Sequence, residues 1–210
     1  MTNRQAFAER LVDRAAQAGV IVDARQLEDL ATYVELLRHW NRRINLTALP
    51  LEPLQDATLD RLLLEPLAAA AHIPDSAFVW FDLGSGGGSP AIPLKIVRRA
   101  AHLTMIESRT KKCAFLSEVV RTLNLTDAAV LPGRVEAVDT TRAADLVTVR
   151  AVSISPRILV RASKLLRAGG ELFVFGFPAS HRNAIAPFTE IRTFQLLPGS
   201  PSELAVLCGG

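Results

Sequence analysis

The sequence predicts an α/β protein in which a parallel sheet is covered by helices on both faces. Three observations support this prediction: residues 1–75 show only helical periodicity, short apolar runs alternate with amphipathic stretches over residues 76–210, and a glycine-rich turn follows the first run. Continuous apolar strands alternating with helices are typical of a parallel sheet that is buried on both faces. We therefore expect a helical extension over residues 1–75 and a Rossmann-like sheet domain over residues 76–210.

The helical extension is predicted to contain three helices. An amphipathic stretch over residues 3–18 ends at Gly19, and Asp23 begins a second helix whose apolar positions recur at helical spacing. A third helix is predicted over residues 53–71. It should bend at Pro66, because proline has no backbone N–H to give to a helix.

Six apolar runs after residue 76 are predicted to be strands. Their sequences are AFVWFDL, HLTMIE, AAVL, ADLVTV, ELFVFGF and ELAVLC. Helices are predicted between them near residues 90–100, 109–123 and 155–167. No strong helical pattern separates the last two runs, so these two strands are expected to form an antiparallel edge.

Composition limits the class of protein without choosing a function. The chain has 210 residues, of which 49% are hydrophobic and 21% charged, so it can bury a large core. The net charge of +3 allows an anionic partner but does not require one. No internal repeat or low-complexity tract is present.

The cysteines and the chain start favour a reducing, cytoplasmic location. Cys113 and Cys208 are too far apart in sequence to suggest a zinc cluster or a disulfide framework. The first residues alternate charged with apolar side chains, and Glu65 and Pro66 interrupt the apolar stretch LLLEPLAAAAHI. We therefore expect no membrane partner.

The stretch FDLGSGGGSPAIPLKI, residues 81–96, marks a ligand site at the end of the first strand. In an open parallel sheet, ligands bind beyond the carboxyl ends of the strands. One interpretation is a dinucleotide fingerprint, G-x-G-x-x-A, that begins at Gly86. However, Asp82 would repel a pyrophosphate, and Pro90 and Pro93 remove backbone donors that a phosphate would use.

The alternative pattern begins at Asp82 and is D-x-G-x-G-x-G, which suits S-adenosylmethionine. That cofactor carries a positive amino group and a sulfonium but no phosphate, so an acid and bare glycine backbone favour it. A tight turn without any ligand is the remaining interpretation. Glu107 ends the second strand 23 positions after Gly84 (107 − 84), where a ribose-binding carboxylate is expected for either cofactor.

Several segments together resemble one family. In order, these are YVELLRHWNRRINLTAL, FDLGSGGGSPAIPLKI, MIESRTKKCAFLSEV, GRVEAV and ADLVTVRAVS, and they cover roughly residues 25–175. They resemble the bacterial small-subunit ribosomal RNA guanine-N7 methyltransferase G family. The more specific signal is the string from Trp40 to Thr47, because the glycine turn alone would indicate only a methyltransferase.

The resemblance implies a fold, an activity and partners. The fold is that of class I S-adenosylmethionine-dependent methyltransferases, with a seven-stranded sheet, an antiparallel last hairpin and a preceding helical extension. The activity is transfer of a methyl group to N7 of a guanine in 16S ribosomal RNA. The substrate is the RNA or an assembling 30S particle, and the enzyme is expected to be a monomer.

The glycine turn and the resemblance together define candidate cofactor-binding residues. They are Asp82, Gly84, Ser85, Gly86, Gly88, Ser89, Glu107, Val135, Glu136 and Arg150. The resemblance implies that Glu107 binds the ribose, that Val135 and Glu136 border the adenine, and that Arg150 lies near the reactive end. A surface arginine is the alternative for Arg150.

RNA contacts are expected from basic residues near the same edge of the sheet. The candidates are Arg42, Arg43, Arg109, Lys111, Lys112 and Arg134. Arg134 has a second interpretation, since it could pair with the neighbouring Glu136. The N7 atom of guanine has a free lone pair, so no general base is needed and no catalytic residue or metal site is predicted.

The chain also departs from the family pattern at positions that would face RNA. Ala57 stands where the family has a histidine, Arg61 where it has a serine, and Phe175 where it has a lysine. Two alternatives therefore remain open beside the ribosomal RNA enzyme. One is a methyltransferase with an altered substrate, and the other is a non-catalytic module that binds the cofactor or RNA.

Overall fold

The computed structural model describes residues 3–75, 78–138, 144–150, 155–177, 185–200 and 202–209. The α-helices are α1 Asn3–Gln17, α2 Ala24–Asn41, α3 Asp56–Leu59, α4 Glu65–Ala69, α5 Ala91–Val97, α6 Thr110–Thr122 and α7 Pro156–Leu165. A π-helix, Asp60–Leu64, joins α3 to α4, and short 3-10 helices cover Ala70–His72 and Val135–Ala137.

Within these described residues, seven strands form one sheet in the order β3-β2-β1-β4-β5-β7-β6. The strands are β1 Val79–Leu83, β2 His102–Glu107, β3 Ala128–Pro132, β4 Ala144–Arg150, β5 Leu166–Phe175, β6 Glu190–Gln195 and β7 Glu203–Cys208. The first five run parallel, and β7 pairs antiparallel with both β5 and β6. The carboxyl ends of β1, β2 and β4 therefore meet at one edge.

Hydrophobic side chains cover both faces of this sheet. Helices α5 and α6 pack on one face together with α1, α2 and the helices of residues 56–72. Helix α7 packs on the opposite face. The helices that precede β1 thus share a core with the sheet, and the division of the chain at residue 75 stays a prediction.

Local sequence explains where α2 begins. The Asp23 carboxylate accepts a hydrogen bond from the Gln26 backbone N–H at 2.8 Å, and the Gln26 side chain accepts one from the Asp23 backbone N–H at 2.9 Å. This reciprocal capping box satisfies two N–H groups that a helix start leaves without partners. The predicted role of Asp23 as the cap is confirmed.

The predicted fold class is confirmed, and three details differ. Strand β6 was not among the six predicted runs, because its residues are mostly exposed and form no continuous apolar stretch. It, and not β7, is the edge strand. The third helix begins at Asp56 and passes through a π-helix, and β5 begins at Leu166, before the predicted ELFVFGF run. No helix within the described ranges is both long and apolar enough to cross a membrane.

Candidate active site

A cavity of about 740 Å³ opens at the carboxyl ends of the parallel strands. Its walls come from segments that lie far apart in sequence: the turn after β1, the end of β2, the residues after β3, Arg150 at the end of β4, and residues 46–49. This is the position that an open α/β sheet offers to a ligand.

In the turn after β1, Gly86 and Gly87 leave room for different neighbours. Gly86 has a φ of +53°, and a Cβ there would come no closer than 3.6 Å to the nearest protein atom, so the space above it belongs to the cavity. A Cβ on Gly87 would instead lie 3.1 Å from the carbonyl oxygen of Leu46. Gly86 therefore leaves room for a ligand, and Gly87 allows residues 46–49 to approach the turn.

Glu107, at the end of β2, is held by backbone groups. Its Oε2 accepts a hydrogen bond from Gly86 N–H at 2.9 Å, and its Oε1 accepts one from Arg109 N–H at 2.8 Å. The residue is only 6% exposed and still lines the cavity. A carboxylate offers about four acceptor positions, so this one keeps capacity for two further donors such as the hydroxyls of a ribose.

Asp82 lies beneath the turn rather than in the cavity wall. The indole of Trp80 donates to the Thr148 hydroxyl at 2.8 Å, and that hydroxyl donates to Asp82 Oδ1 at 2.5 Å. Burial raises the pKa of the Asp82 carboxyl to about 6, against the effect of the Thr148 hydrogen bond. Among the described residues its Oδ2 has no hydrogen-bond partner.

Gly88 is also absent from the cavity wall. A Cβ there would lie 2.8 Å from Ile92 and would also touch Leu116 and Tyr33. The close packing between the turn and helices α2, α5 and α6 accounts for glycine at this position. Neither Gly88 nor Asp82 lines the cavity, and their contact with the cofactor stays a prediction.

Val135 and Glu136, which the resemblance implied to border an adenine, both line the cavity. They belong to the short 3-10 helix Val135–Ala137, whose position depends on α7. Arg161 of α7 donates from Nε to the Val135 carbonyl at 3.0 Å. Arg161 therefore makes an internal contact that joins the 3-10 helix to α7.

Arg150 is not a surface arginine. Its side chain is 7% exposed and forms an ion pair with Glu65, with 2.9 Å between Nη2 and Oε2. Its Nη1 donates to the Ser89 hydroxyl at 3.3 Å and to the Arg61 carbonyl, and its Cζ lies 4.5 Å from the centre of the Phe175 ring. Burial lowers the pKa of this guanidinium to about 10, so it remains charged at neutral pH.

Pro66 leaves a free backbone acceptor in this part of the helical extension. Proline has no N–H, so one carbonyl of the preceding turn lacks its helical donor, that of Leu62 in an α-helix or that of Arg61 in a π-helix. The Ser89 hydroxyl donates to the Leu62 carbonyl at 2.9 Å, and Arg150 donates to the Arg61 carbonyl. The prediction of a bend at Pro66 therefore indicated an irregular helix here. The side chains that donate to its carbonyls, Ser89 and Arg150, could not be predicted from the sequence.

Residues 46–49 line the cavity and were not among the predicted site residues. The loop that carries them is shaped by Asn41, whose Oδ1 accepts hydrogen bonds from the backbone N–H groups of Leu46 and Thr47 at 2.9 and 3.0 Å. Trp40 lies beside it and donates to Glu118 at 3.0 Å. The specific string around Trp40 thus builds one wall of the cavity.

The predicted RNA-binding residues do not form one cluster. Arg109, Lys112 and Arg134 line the cavity. Arg42 pairs with Glu52 at 2.5 Å on the exposed surface. The remaining two predicted residues, Lys111 and Arg43, are exposed and lie outside the cavity wall.

The cavity fits S-adenosylmethionine on its own geometry. It combines open space above Gly86, a carboxylate at Glu107 with free acceptor positions, and an apolar lining from Leu37, Leu46 and Ile106. Within the described ranges, no group of three or more His, Cys, Asp or Glu side chains is arranged to hold a metal ion.

The chain is similar to known proteins of one family. Residues 26–182 match the family described as rRNA small subunit methyltransferase G. A protein of Neisseria meningitidis named "Ribosomal RNA small subunit methyltransferase G" is 38% identical over 162 residues, which cover 77% of this chain and 76% of that protein. A protein of the same name from Roseiflexus castenholzii is 36% identical over 166 residues, covering 77% and 70% of the two chains.

Solved structures show the same fold at low sequence identity. A SAM-dependent methyltransferase from Aquifex aeolicus matches with a TM-score of 0.55 at 15% identity, covering 74% of this chain and 94% of the other. A precorrin-6y C5,15-methyltransferase from Geobacter metallireducens matches with a TM-score of 0.55 at 10% identity, covering 69% and 87%. The predicted family, cofactor and enzyme class are thereby confirmed: the chain belongs to the rRNA small subunit methyltransferase G family and is an S-adenosylmethionine-dependent methyltransferase of ribosomal RNA.

Proposed function

We propose that the protein methylates N7 of a guanine in small-subunit ribosomal RNA. The observation that supports this most is the cavity itself. It places a carboxylate held by backbone N–H groups, at Glu107, and a buried guanidinium, at Arg150, around one space at the carboxyl edge of the sheet.

Methyl transfer to N7 requires the protein mainly to position the base and the cofactor. S-adenosylmethionine supplies the methyl group: the N7 lone pair forms the new C–N bond, the S–C bond breaks with its electrons on sulfur, and the positive charge moves to the base. No proton is transferred, so the side chains act by holding the base in line and excluding water. This agrees with the lack of a predicted general base.

The proposed cofactor contacts come from residues at the ends of neighbouring strands. Glu107 accepts hydrogen bonds from the ribose, and Gly84, Ser85 and Gly86 lie beneath the rest of the nucleoside. Val135 and Glu136 border the adenine.

Arg150 and Ser89 lie on the side of the cavity where the methyl group and the base meet, and the hydrogen bond between them keeps this side ordered.

RNA phosphates are proposed to bind the basic residues beside this cavity. Arg109, Lys111 and Lys112 follow Glu107 directly, so cofactor and RNA would meet at one loop. Arg134 lines the same cavity. Phosphate contacts of this kind fix the position of the RNA and leave the choice of base to the cavity.

The test is methyl transfer with labelled S-adenosylmethionine to naked 16S RNA and, in parallel, to 30S particles. Strand cleavage after borohydride and aniline treatment then maps N7-methylguanine. We expect one modified guanine and no incorporation with a variant that cannot bind the cofactor. Incorporation at another atom would support an altered substrate, and cofactor binding without any transfer would support a non-catalytic module.

The remaining expectations belong to this proposal. We propose that the enzyme is a cytoplasmic monomer without a membrane partner, and that residues 1–75 act as a helical extension of a sheet domain over residues 76–210. Sedimentation of the purified protein, alone and with RNA, tests the monomer.

A further inference from the structure

A second cavity, of about 640 Å³, adjoins the cofactor cavity. The two cavities share Arg61 and Leu49 as wall residues. Arg150 lines only the first cavity, and Glu65 lines only the second. Since these two side chains are joined at 2.9 Å, their ion pair spans the partition between the cavities.

Glu65 is an unusual group to find in such a wall. Its side chain is 8% exposed, and a buried carboxylate is costly unless it has partners. The contact with Arg150 occupies one of about four acceptor positions, so the carboxylate keeps capacity for further donors. A ligand that enters the second cavity is therefore selected for hydrogen-bond donors.

Guanine presents the pattern that such a wall recognises. N7 and O6 are acceptors on one side of the base, while N1–H and N2–H₂ are donors on the other. With N7 turned toward the cofactor cavity, the donors point away from it, and enzymes that bind an extruded base commonly select it by this Watson–Crick edge. Adenine has an acceptor at N1, which a carboxylate would repel.

We propose that Glu65 is a specificity-determining residue that accepts hydrogen bonds from N1–H and N2–H₂ of the target guanine in the second cavity. The neighbouring guanidinium of Arg150 or Arg61 donates to O6. This inference rests on the proposed function, because it needs a guanine substrate. The competing explanation is purely structural: Glu65 only neutralises Arg150.

The test uses RNA that carries guanosine or inosine at the mapped position, since inosine lacks only the 2-amino group. With the parent enzyme, inosine should lower kcat/KM about tenfold, the usual value of one hydrogen bond to a charged acceptor. In Glu65→Gln the side-chain amide keeps one neutral acceptor oxygen, and its NH₂ group opposes one of the two guanine donors. Methylation of guanosine RNA should therefore slow, and the inosine penalty should fall below that of the parent, because a hydrogen bond to a neutral acceptor is worth less than one to a carboxylate.

Asp29→Asn is the matched control. Asp29 pairs with Arg99 at 2.5 Å, is also largely buried and lines neither cavity, so this variant should keep the full inosine penalty. Equal penalties in parent and Glu65→Gln would overturn the assignment of Glu65. So would a parent enzyme that methylates inosine and guanosine equally well, a result that needs no variant to fold. An absence of methylation of guanosine RNA by the parent would instead contradict the proposed function.

Discussion

Two walls of the cofactor cavity hold a carboxylate in different ways. The glycine-turn wall, residues 84–89 with Glu107, fixes its carboxylate with backbone N–H groups of Gly86 and Arg109. The helical wall is Arg61, Leu62 and Arg150, and Glu65 lies behind Arg150. It fixes its carboxylate with one side chain that is 85 positions away in sequence.

The difference determines what each wall can tolerate. Backbone donors stay in place as long as the turn exists, so a change at Glu107 should affect the ligand more than the fold. A buried ion pair depends on both partners, and removing one leaves an unpaired charge in a region of low polarity. The helical wall should therefore be sensitive in stability, and the glycine-turn wall should be sensitive in binding.

The largest effect is expected when the ion pair of the helical wall is broken. Glu65→Ala should lower the free energy of unfolding by about 3–5 kcal/mol, because Arg150 stays buried without its partner. Urea unfolding measures this change. In the exposed pair Arg42–Glu52, the change Glu52→Ala should cost only about 0–1 kcal/mol. Similar losses in the two variants would remove the proposed contrast.

The strongest effect on binding is expected at Glu107. Glu107→Ala should raise the Kd for S-adenosylhomocysteine about 100-fold, since two hydrogen bonds from the ribose to a charged acceptor are lost. Isothermal titration calorimetry provides the measurement, with Glu190→Ala on the exposed strand β6 as the control. If Glu107→Ala binds as tightly as the parent, the carboxylate serves only the turn.

Asp82, beneath the glycine-turn wall, makes stability depend on pH. Burial raises its pKa to about 6 in the folded protein, above a typical value of about 3.9 in an unfolded chain. Between these values the folded state binds more protons, so stability should fall as pH rises, by about 2–3 kcal/mol in total. Asp82→Asn should lack this component. The check is urea unfolding of both proteins at several pH values, and a difference that is constant with pH would contradict the prediction.

Gly86 tests whether the open space in the turn belongs to the ligand. Gly86→Val should weaken binding of S-adenosylhomocysteine about tenfold or more, because the side chain enters the cavity, and a non-glycine at positive φ also costs about 1–3 kcal/mol of stability. Gly199→Val is matched for backbone strain: its φ is +71° and no atom lies within 4 Å of an added Cβ. This control should lose stability but keep its affinity. Unchanged affinity in Gly86→Val would make the glycine only a turn former.

The smallest effect concerns the lysines next to Glu107. Lys111→Gln should reduce the slope of log affinity for RNA against log salt concentration by about 0.7, the contribution of one single-strand phosphate contact. Its affinity for S-adenosylhomocysteine should not change. Lys112, unlike Lys111, lines the cofactor cavity, with Nζ 3.8 Å from the position of a Cβ on Gly86, so Lys112→Gln should change both measurements. An unchanged salt slope in both variants would argue against RNA contacts at this loop.

Sequence patterns predicted the enclosed strands of the sheet well, and the physical reason is burial. Runs such as HLTMIE and ELAVLC are apolar because neighbouring strands and helices enclose them, and the observed strands β2 and β7 have these bounds. Among the described residues, strand β6 pairs only with β7 and leaves most side chains in solvent. Its sequence therefore contains no apolar run, and the strand could not be predicted from the hydrophobic pattern.

The same distinction applies to the site. The glycine turn and Glu107 could be identified because each lies at a strand end, and strand ends in a parallel sheet meet at one edge. The positions of residues 46–49 and of Glu65 could not be predicted in this way. They depend on how the helical extension packs on the sheet, which involves contacts between residues more than 50 positions apart, such as the hydrogen bond from the Tyr33 hydroxyl to the Gly87 carbonyl at 2.7 Å.

By itself, the sequence determined the α/β class, the edge of the sheet that binds the cofactor and the family, because local patterns of apolar residues, glycines and acids carry that information. Only the tertiary structure decided that Arg150 is buried against Glu65, that Asp82 and Gly88 lie behind the cavity wall, and that a second cavity adjoins the first. These features arise where separate segments meet, and the partner of a side chain in such a place is set by three-dimensional packing rather than by its neighbours in the chain.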